Sequence, residues 1–312
     1  MAAERPRVCA VVLNLCDRPS LLSCLASLEI CGYANLRTVV VRNGPFEEGL
    51  EAAARAVSPR LDRLIFTGFN LGFAAGNRHG IEAALAGGAD HVFLLNDDAE
   101  IERGALDLLV DELSARPGAG MLGPRVLCRD GARIWFSGAV FDPASASFLF
   151  PGAGMDSAGY GHFEPGRTDF VTGCALLASR AFIGDVGLMD DRHFLYWEDA
   201  DWGLRAVKAG YGPLVVPAAR VRHKVSLSTG GDDSPLKLYH KTRGQLLFAL
   251  RHAPAASPRL LAGFARDIAW LLLKCRARGR FARARALAAA VWDHMLRRYG
   301  PGPDWLWRGG GR

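Results

Sequence analysis

The segment Phe194–Ala206 reads FLYWEDADWGLRA and packs Glu198, Asp199 and Asp201 into four positions, with Tyr196, Trp197 and Trp202 around them. Carboxylates this close repel one another and lose solvation beside aromatic rings, so their pKa values rise unless cations or hydrogen-bond donors offset the repulsion. A carboxylate of raised pKa is suited to taking a proton from a hydroxyl. Three acids in a first helical turn also sit well against the helix dipole, with GLRAVKAG carrying the helix on to a stop at Gly210. On this stretch alone both readings stand.

A second acidic group ends an apolar run in FLLNDDAEIERGAL, where Asn96, Asp97 and Asp98 precede a helix that begins near Gly104. Carboxylates on a turn after a strand are placed to share a hard divalent cation with a diphosphate, because Mg²⁺ or Mn²⁺ takes one or two protein carboxylates plus phosphate oxygens. The plain alternative is an Asx-type turn. Glu198, Asp199 and His223, each at the start or end of an element, strengthen the chemical reading.

The elements that must position these groups follow from periodicity. VCAVVLN (8–14), RTVVVR (37–42), RLIFTG (63–68) and HVFLLN (91–96) read as strands. The helices expected to follow them are Ser20–Ile30, Phe46–Ala56, Phe73–Ala86 and Gly104–Ser114. This is the order of repeated βαβ units with a mainly parallel sheet, in which a ligand lies beyond the carboxyl ends of the strands. After Pro117, MLGPRVL, ARIWFSGAVFD, TDFVTGCALLAS and GPLVVPAARVRH read as further strands, the second and third separated by a Gly-rich loop from Pro151 to Arg167 suited to acceptor contacts. From Ser234 the pattern is helical, with a break near Gly279.

The 312 residues carry a formal charge of +6, which is uneven. Residues 259–298 hold ten basic side chains against Asp267 and Asp293, a net +8, so the rest of the chain is about −2. Leu260, Leu261, Phe264, Ile268, Leu271 and Leu272 recur there at helical spacing. Such a helix either lies on an anionic membrane surface, through residues 258–298, or packs its stripe on the domain and leaves a solvated basic face. No nucleic-acid partner is expected, since no recognition module accompanies the charge. The seven cysteines, Cys9, Cys16, Cys24, Cys31, Cys128, Cys174 and Cys275, are odd in number and lack zinc-like spacing. With no signal-like N-terminus and no apolar run approaching the ~20 residues of a spanning helix, a cytoplasmic location with reduced thiols is expected.

The motifs VVLNLCDRPSLLSCLASL, VVVRNG, NLGFAAGNRHGI, LLNDDAEI, GCALLASRAFIGDVGLMDDRHFLYWEDADWGLRAVKAGY, VRH and YHKTRGQLL stand in an order that resembles glycosyltransferase family 2. These are inverting nucleotide-sugar transferases of GT-A fold, and the bacterial rhamnosyl- and galactofuranosyltransferase branch is the most similar. The resemblance runs from about Val8 to Arg251. It implies an α/β GT-A catalytic domain over 1–233, with a nucleotide-binding half (1–116) and an acceptor-binding half (117–233), followed by a helical basic extension over 234–312. By position it implies that Asp98, with Asn96 and His223, holds Mn²⁺ or Mg²⁺, that Asp97 faces the ribose or diphosphate, and that Asp199 is the base with Glu198 beside it. Gly173, Tyr196, Trp197 and Glu198 fall on the acceptor side, with Trp202 joining the aromatic platform, while Asp201 pairs with Arg205 within the helix.

Asn14, Asp17, Arg18, Arg42, Asn43, Asn70, Gly72, Gly76, Asn77, Arg78, Asn96 and Asp97 would cradle a nucleoside-diphosphate sugar, UDP- or dTDP-linked. The acceptor would be a glycan or a lipid-linked sugar used in surface polysaccharide or glycoconjugate assembly, at the inner face of the cytoplasmic membrane. Arg42 departs from the family pattern, which has Asp there to contact the base, and it motivates an alternative: a degenerate GT-A module that binds a glycan or protein partner without turnover. A nucleotidyltransferase would need a Gly-rich basic loop after the first strand, and LNLCDRPS has no such glycines.

Overall fold

The computed structural model describes residues 5–160, 164–224, 234–273 and 279–307. The donor half follows the expected βαβ order: β1 (Val8–Asn14), α1 (Arg18–Ile30), β2 (Leu36–Arg42), α2 (Leu50–Val57), β3 (Leu61–Phe66), α3 (Phe73–Ala86) and β4 (His91–Asn96). A short β5 (Ala99–Ile101) comes straight after the acidic turn, then α4 (Ala105–Ala115). The second half contains β6 (Met121–Cys128), β7 (Ile134–Phe136), β8 (Val140–Asp142), β9 (Ser147–Leu149), β10 (Gly166–Arg167), β11 (Ala175–Ser179), α5 (Arg180–Val186), α6 (Glu198–Lys208) and β12 (Leu214–His223). The chain closes with α7 (Pro235–His252), α8 (Ser257–Leu273) and α9 (Arg280–Met295).

The main sheet runs β10-β12-β6-β11-β4-β1-β2-β3, with β5 on β12 and β7 on β6. β3, β2, β1 and β4 are mutually parallel, as the crossover helices require. Alternate residues of β1 feed opposite faces. Val8, Ala10 and Val12 pack with Leu21, Leu25 and Leu28 of α1, while Cys9 and Val11 pack with Ile81 of α3 and Phe182 of α5. Burial on both faces explains why these strands read as continuous apolar runs.

Several expected boundaries move. α1 opens at Arg18 because Asp17 caps it, accepting from Ser20 N at 3.0 Å and Ser20 Oγ at 2.7 Å. α2 starts at Leu50, after Gly49 turns with φ 72°. ARIWFSGAVFD splits at Gly138, whose φ of 114° breaks the strand, and β8 instead pairs with β9 in a separate hairpin. TDFVTGCALLAS is extended strand only from Ala175, since Thr168 to Cys174 bond to a neighbouring loop and to side chains. The Gly-rich stretch is not structureless in its described part: Ile134 N donates to Met155 O at 2.9 Å and Arg133 bridges Asp156. α5 went unrecognised in the sequence, as did β5. All six cysteines among the described residues are free, and Cys275 lies outside them.

The basic C-terminal pair settles one alternative in part. Phe264, Ile268 and Leu271 of α8 pack inward with Leu238 of α7 and Ala284 and Leu287 of α9, so that part of the stripe rests on protein. Phe248 of α7 joins the main core. Among the described residues no helix is long and apolar enough to cross a membrane.

Asp201, fully buried in α6, ties α6 to α7. It accepts from Arg205 Nε at 2.8 Å as expected, and also from Arg251 Nη1 at 2.8 Å and bonds His252 Nε2 at 2.8 Å. Burial alone would raise its pKa, but His252, Arg251 and Arg205 outweigh it and hold the carboxyl well below the usual range. A folded pKa below the unfolded one contributes stability above the ordinary carboxylate range, which is lost as pH falls. Asp201→Ala leaves the Arg205 and Arg251 guanidinium groups uncompensated and should therefore cost about 3 kcal/mol near neutral pH, with the deficit shrinking below about pH 4. Denaturant melts of both proteins across pH check this, and a pH-independent deficit would count against the ion-pair account.

Candidate active site

A cleft of about 750 Å³ opens at the carboxyl ends of β1, β2 and β4. It is lined by Asp17, Asn43, Asn70, Gly72, Asn96, Asp97 and Asp98 from the donor half, and by Gly173, Tyr196, Trp197, Glu198, Asp199 and His223 from the other. Thirteen residues singled out in the sequence thus meet in one cavity.

The two acidic groups are brought together by strand pairing. β5 runs antiparallel to β12 with Ala99 opposite His223, and Lys224 N donates to Asp98 O at 3.0 Å. A bulge in β12 between Val216 and Arg220 sets the register of its last residues. In consequence His223 Nε2 lies 3.0 Å from Asp98 Oδ1. Burial opposes charge on the ring, but contact with Cys174 and Asp98 pushes its pKa up to about 11. Among the described residues no group of three His, Cys, Asp or Glu side chains is arranged to hold a metal. A nitrogen and a carboxylate oxygen in contact, both facing the cleft, fit a divalent cation whose remaining ligands come from a diphosphate. Such a cation would have to displace the His223 proton.

Asp97 is half-buried in the cleft wall. Burial, with Asp98 beside it, pushes its pKa to about 7, opposed by Asn14 Nδ2 donating to its Oδ2 at 2.6 Å. Asn14 Oδ1 in turn accepts from Arg42 Nη1 at 2.8 Å, and Arg42 Nη2 pairs with Glu47 at 3.0 Å. The guanidinium therefore fixes which way the Asn14 amide faces.

Six expected donor contacts do not line the cleft. Asn14 and Arg42 stand behind Asp97. Arg18 donates to Gly49 O at 3.1 Å. Gly76 packs on Leu13 and Asn43, where a Cβ would come within 2.7 Å of Leu13 Cδ1. Asn77 bonds Phe73 O in its own helix at 3.0 Å, and Arg78 pairs with Asp191 at 3.0 Å in a separate shallow pocket. Asn43 is placed to shape the wall, donating to Gly72 O at 3.0 Å and accepting from Leu71 N at 2.9 Å.

On the opposite wall, Tyr196 and Trp197 both have left-handed backbones, φ 68° and 75°, unusual for bulky residues and costly unless surroundings enforce them. Phe73 N donates to Phe194 O at 2.7 Å, joining this turn to α3. Gly244 of α7 makes room for it, since a Cβ there would lie 2.8 Å from Trp197 Cδ1. α6 then starts at Glu198 and carries all three acids in its first turn, as the helix-start reading of the cluster expects, and it presents Glu198 and Asp199 to the cleft. Asp199 Oδ2 accepts from Gly173 N at 2.9 Å and Oδ1 from Ala200 N at 2.8 Å. Burial raises its pKa despite these donors, and burial together with Asp199 lifts Glu198 much further. Glu198 Oε2 is buried without a hydrogen-bond partner.

Trp202 corrects the expected platform. It is fully buried, donates from Nε1 to Gly187 O at 2.8 Å and packs on Phe182, away from the cleft. Trp135, Phe150, Phe170, Trp307, Lys224, Lys237 and Lys241 line the cleft instead and were not singled out. Lys241 lies within the YHKTRGQLL motif; the others had no local signal.

The model of "Glycosyltransferase like family 2" matches residues 6–245. The chain belongs to this family. It is 32% identical to an N-acetylglucosaminyl-diphospho-decaprenol L-rhamnosyltransferase of Mycobacterium tuberculosis, over 78% of this chain and 84% of that one. It is 24% identical to the dTDP-rhamnosyl transferase RfbF of Shigella flexneri, over 61% of this chain and 64% of that one. Among solved structures it is similar to the mannosyltransferase PcManGT from Pyrobaculum calidifontis in complex with GDP-Man and Mn²⁺, with a TM-score of 0.57, 17% identity and coverage of 95% and 89%. GalNAc-T7 with UDP, GalNAc and Mn²⁺ matches with the same TM-score at 15% identity over 78% of this chain, which spans about half (48%) of that one. The fold is GT-A, and the chain is a nucleotide-sugar glycosyltransferase.

Removing the Arg42 guanidinium should let the Asn14 amide turn and loosen Asp97. Arg42→Met is expected to weaken nucleotide-sugar binding about tenfold by calorimetry, the scale of one hydrogen bond to a charged group. An unchanged Kd in a folded variant contradicts the relay.

Proposed function

We propose that this chain is an inverting, metal-dependent glycosyltransferase that moves a sugar from a UDP- or dTDP-linked donor to a glycan or lipid-linked acceptor in surface polysaccharide or glycoconjugate assembly. The observation that carries this reading is the acid pair of buried Glu198 and half-buried Asp199 lining the same cleft as the Asp98–His223 contact. The names of the mycobacterial and Shigella relatives support a lipid diphosphate-linked acceptor and a dTDP-linked donor. The Mn²⁺ bound in both similar structures supports a divalent cation.

In this reading residues 1–116 hold the donor and 117–233 the acceptor. Asp98 and His223, with Asn96 beside them, would hold Mn²⁺ or Mg²⁺, which when bound offsets charge gathering on the departing nucleoside diphosphate. Asp97, its Oδ2 already engaged by Asn14, offers its other oxygen to the ribose or diphosphate. Asp199 accepts the proton of the acceptor hydroxyl as that oxygen attacks the anomeric carbon on the face opposite the leaving group. The two N–H donors from Gly173 and Ala200 keep Asp199 aimed, while its raised pKa makes it a stronger base than an exposed aspartate. The unpartnered Glu198 Oε2 accepts a second acceptor hydroxyl. Tyr196 supplies an apolar face for a sugar ring. The location proposed is cytoplasmic, at the inner membrane face.

The degenerate-module alternative drew its support from Arg42. Arg42 is buried, bonded to Asn14 and Glu47, and outside the cleft wall, so it does not obstruct a donor.

Asp199→Asn separates the two readings. It should reduce transfer on the order of 10²- to 10⁴-fold, the usual worth of a general base, with donor Kd preserved. The base must be ionised, so wild-type kcat should fall as pH drops through the raised Asp199 pKa, above the ordinary Asp value of about 3.9. Full activity in the folded Asn variant would sink the assignment.

A further inference from the structure

The inward stripe of α8 leaves a different apolar set facing outward. On α9, Phe281, Trp292 and Met295 are 63%, 59% and 64% exposed, and Leu296 beside them is 43% exposed. Positions 281, 285, 288, 292 and 295 recur at helical spacing and define one face, with exposed Arg285 and Ala288 filling it. At the far end of α8, Leu272 is 45% and Leu273 87% exposed. Isolated exposed apolar residues are ordinary, but aromatic, Met and Leu side chains aligned on one helical face are not.

We propose that the outer face of α9, with the end of α8, is a docking surface for an anionic lipid bilayer. The occupant follows from charge: the apolar stripe sits in the segment that holds ten basic residues against two acidic ones, in a chain otherwise about −2. Arg285 lies within the stripe with its guanidinium stacked on the Trp305 ring, 4.2 Å from the centroid, and exposed Arg297 and Arg298 follow the last turn of α9 and supply the cations at its end. Large apolar side chains interleaved with Arg bind at the headgroup boundary, where the former enter the acyl edge and the latter meet lipid phosphates. A helix pair without a spanning segment lies along the interface. The inward stripe holds α8 and α9 against α7, so the surface is presented by a packed layer, without coupled folding.

The inference goes beyond the transferase reading and does not depend on it, because it is measured without donor or acceptor. The full chain is sedimented with phosphatidylcholine vesicles, with and without phosphatidylglycerol, at low and high salt. Two variants are compared: Phe281→Ser/Trp292→Ser/Met295→Ser, and Arg297→Glu/Arg298→Glu, all at exposed positions, with melting temperature and sedimentation velocity recorded for each. The expected result is salt-sensitive binding to the anionic vesicles only, reduced about tenfold in both variants at unchanged melting temperature. Three results would overturn the proposal: no binding to anionic vesicles at low salt, equal binding by the variants, or a wild-type dimer that the Ser variant turns into monomer, which would make a second copy the occupant.

Discussion

The site depends on one pairing, the three-residue strand β5 against the end of β12. The Asn96–Asp98 turn lies on a connection whose backbone would be free to swing if β5 were loop. Asn96 N donating to Cys174 O holds the near end of the turn, while pairing Ala99 with His223, and Asp98 O with Lys224 N, pins its far end and sets the side chains of Asp98 and His223 in contact. Because side chains alternate along a strand, a slip of one residue would turn His223 to the other face. The bulge at Val216–Arg220 holds that register against β6.

The facing wall is held by different means. Tyr196 and Trp197 adopt a conformation that bulky residues avoid, and it persists because the surroundings over-determine it. Phe73 N fixes Phe194 from the donor side, Gly244 admits the Trp197 ring from the α7 side, and Asp201 bolts the following helix to Arg251 and His252. That clamp is what allows two acids, Glu198 buried and Asp199 half-buried, to stay at the start of α6. Their raised pKa values oppose folding more as pH rises, since burial favours the protonated forms. The stability cost is thus set against the Asp201 ion pairs, whose contribution is complete at the same pH.

The parallel half was legible because β1, β2 and β4 are buried on both faces and each helix follows at βαβ spacing, so local pattern and tertiary environment agree. The acid groups were legible from type and order. Less was visible where a residue's fate depends on contacts distant in sequence. Arg42 was expected in the donor cradle, as a departure from the base-contacting Asp of the family, but it is buried and paired with Asn14 and Glu47. Trp202 shares its segment with Tyr196 and Trp197, yet its place on α6 turns it to the core. Gly76, Asn77 and Arg78 sit beside the cleft in sequence and turn away from it because α3 packs Gly76 on Leu13. Lys237, Lys241 and Trp307 arrive from α7 and the C-terminal end, elements whose local sequence says only that they are helical or basic, and Lys224 follows the last residue of β12.

The central claim is that the cleft binds a nucleoside diphosphate together with a divalent cation held at Asp98 and His223. The direct measurement is thermal unfolding with UDP, dTDP, GDP or CDP, each with and without Mn²⁺, in the wild type and in Asp98→Ala, since a ligand that binds only the folded state must raise its stability. The account predicts a shift with at least one nucleotide that requires Mn²⁺ and disappears in Asp98→Ala. Well-folded protein that shows no shift with any nucleotide, or the same shift in the variant, would contradict it.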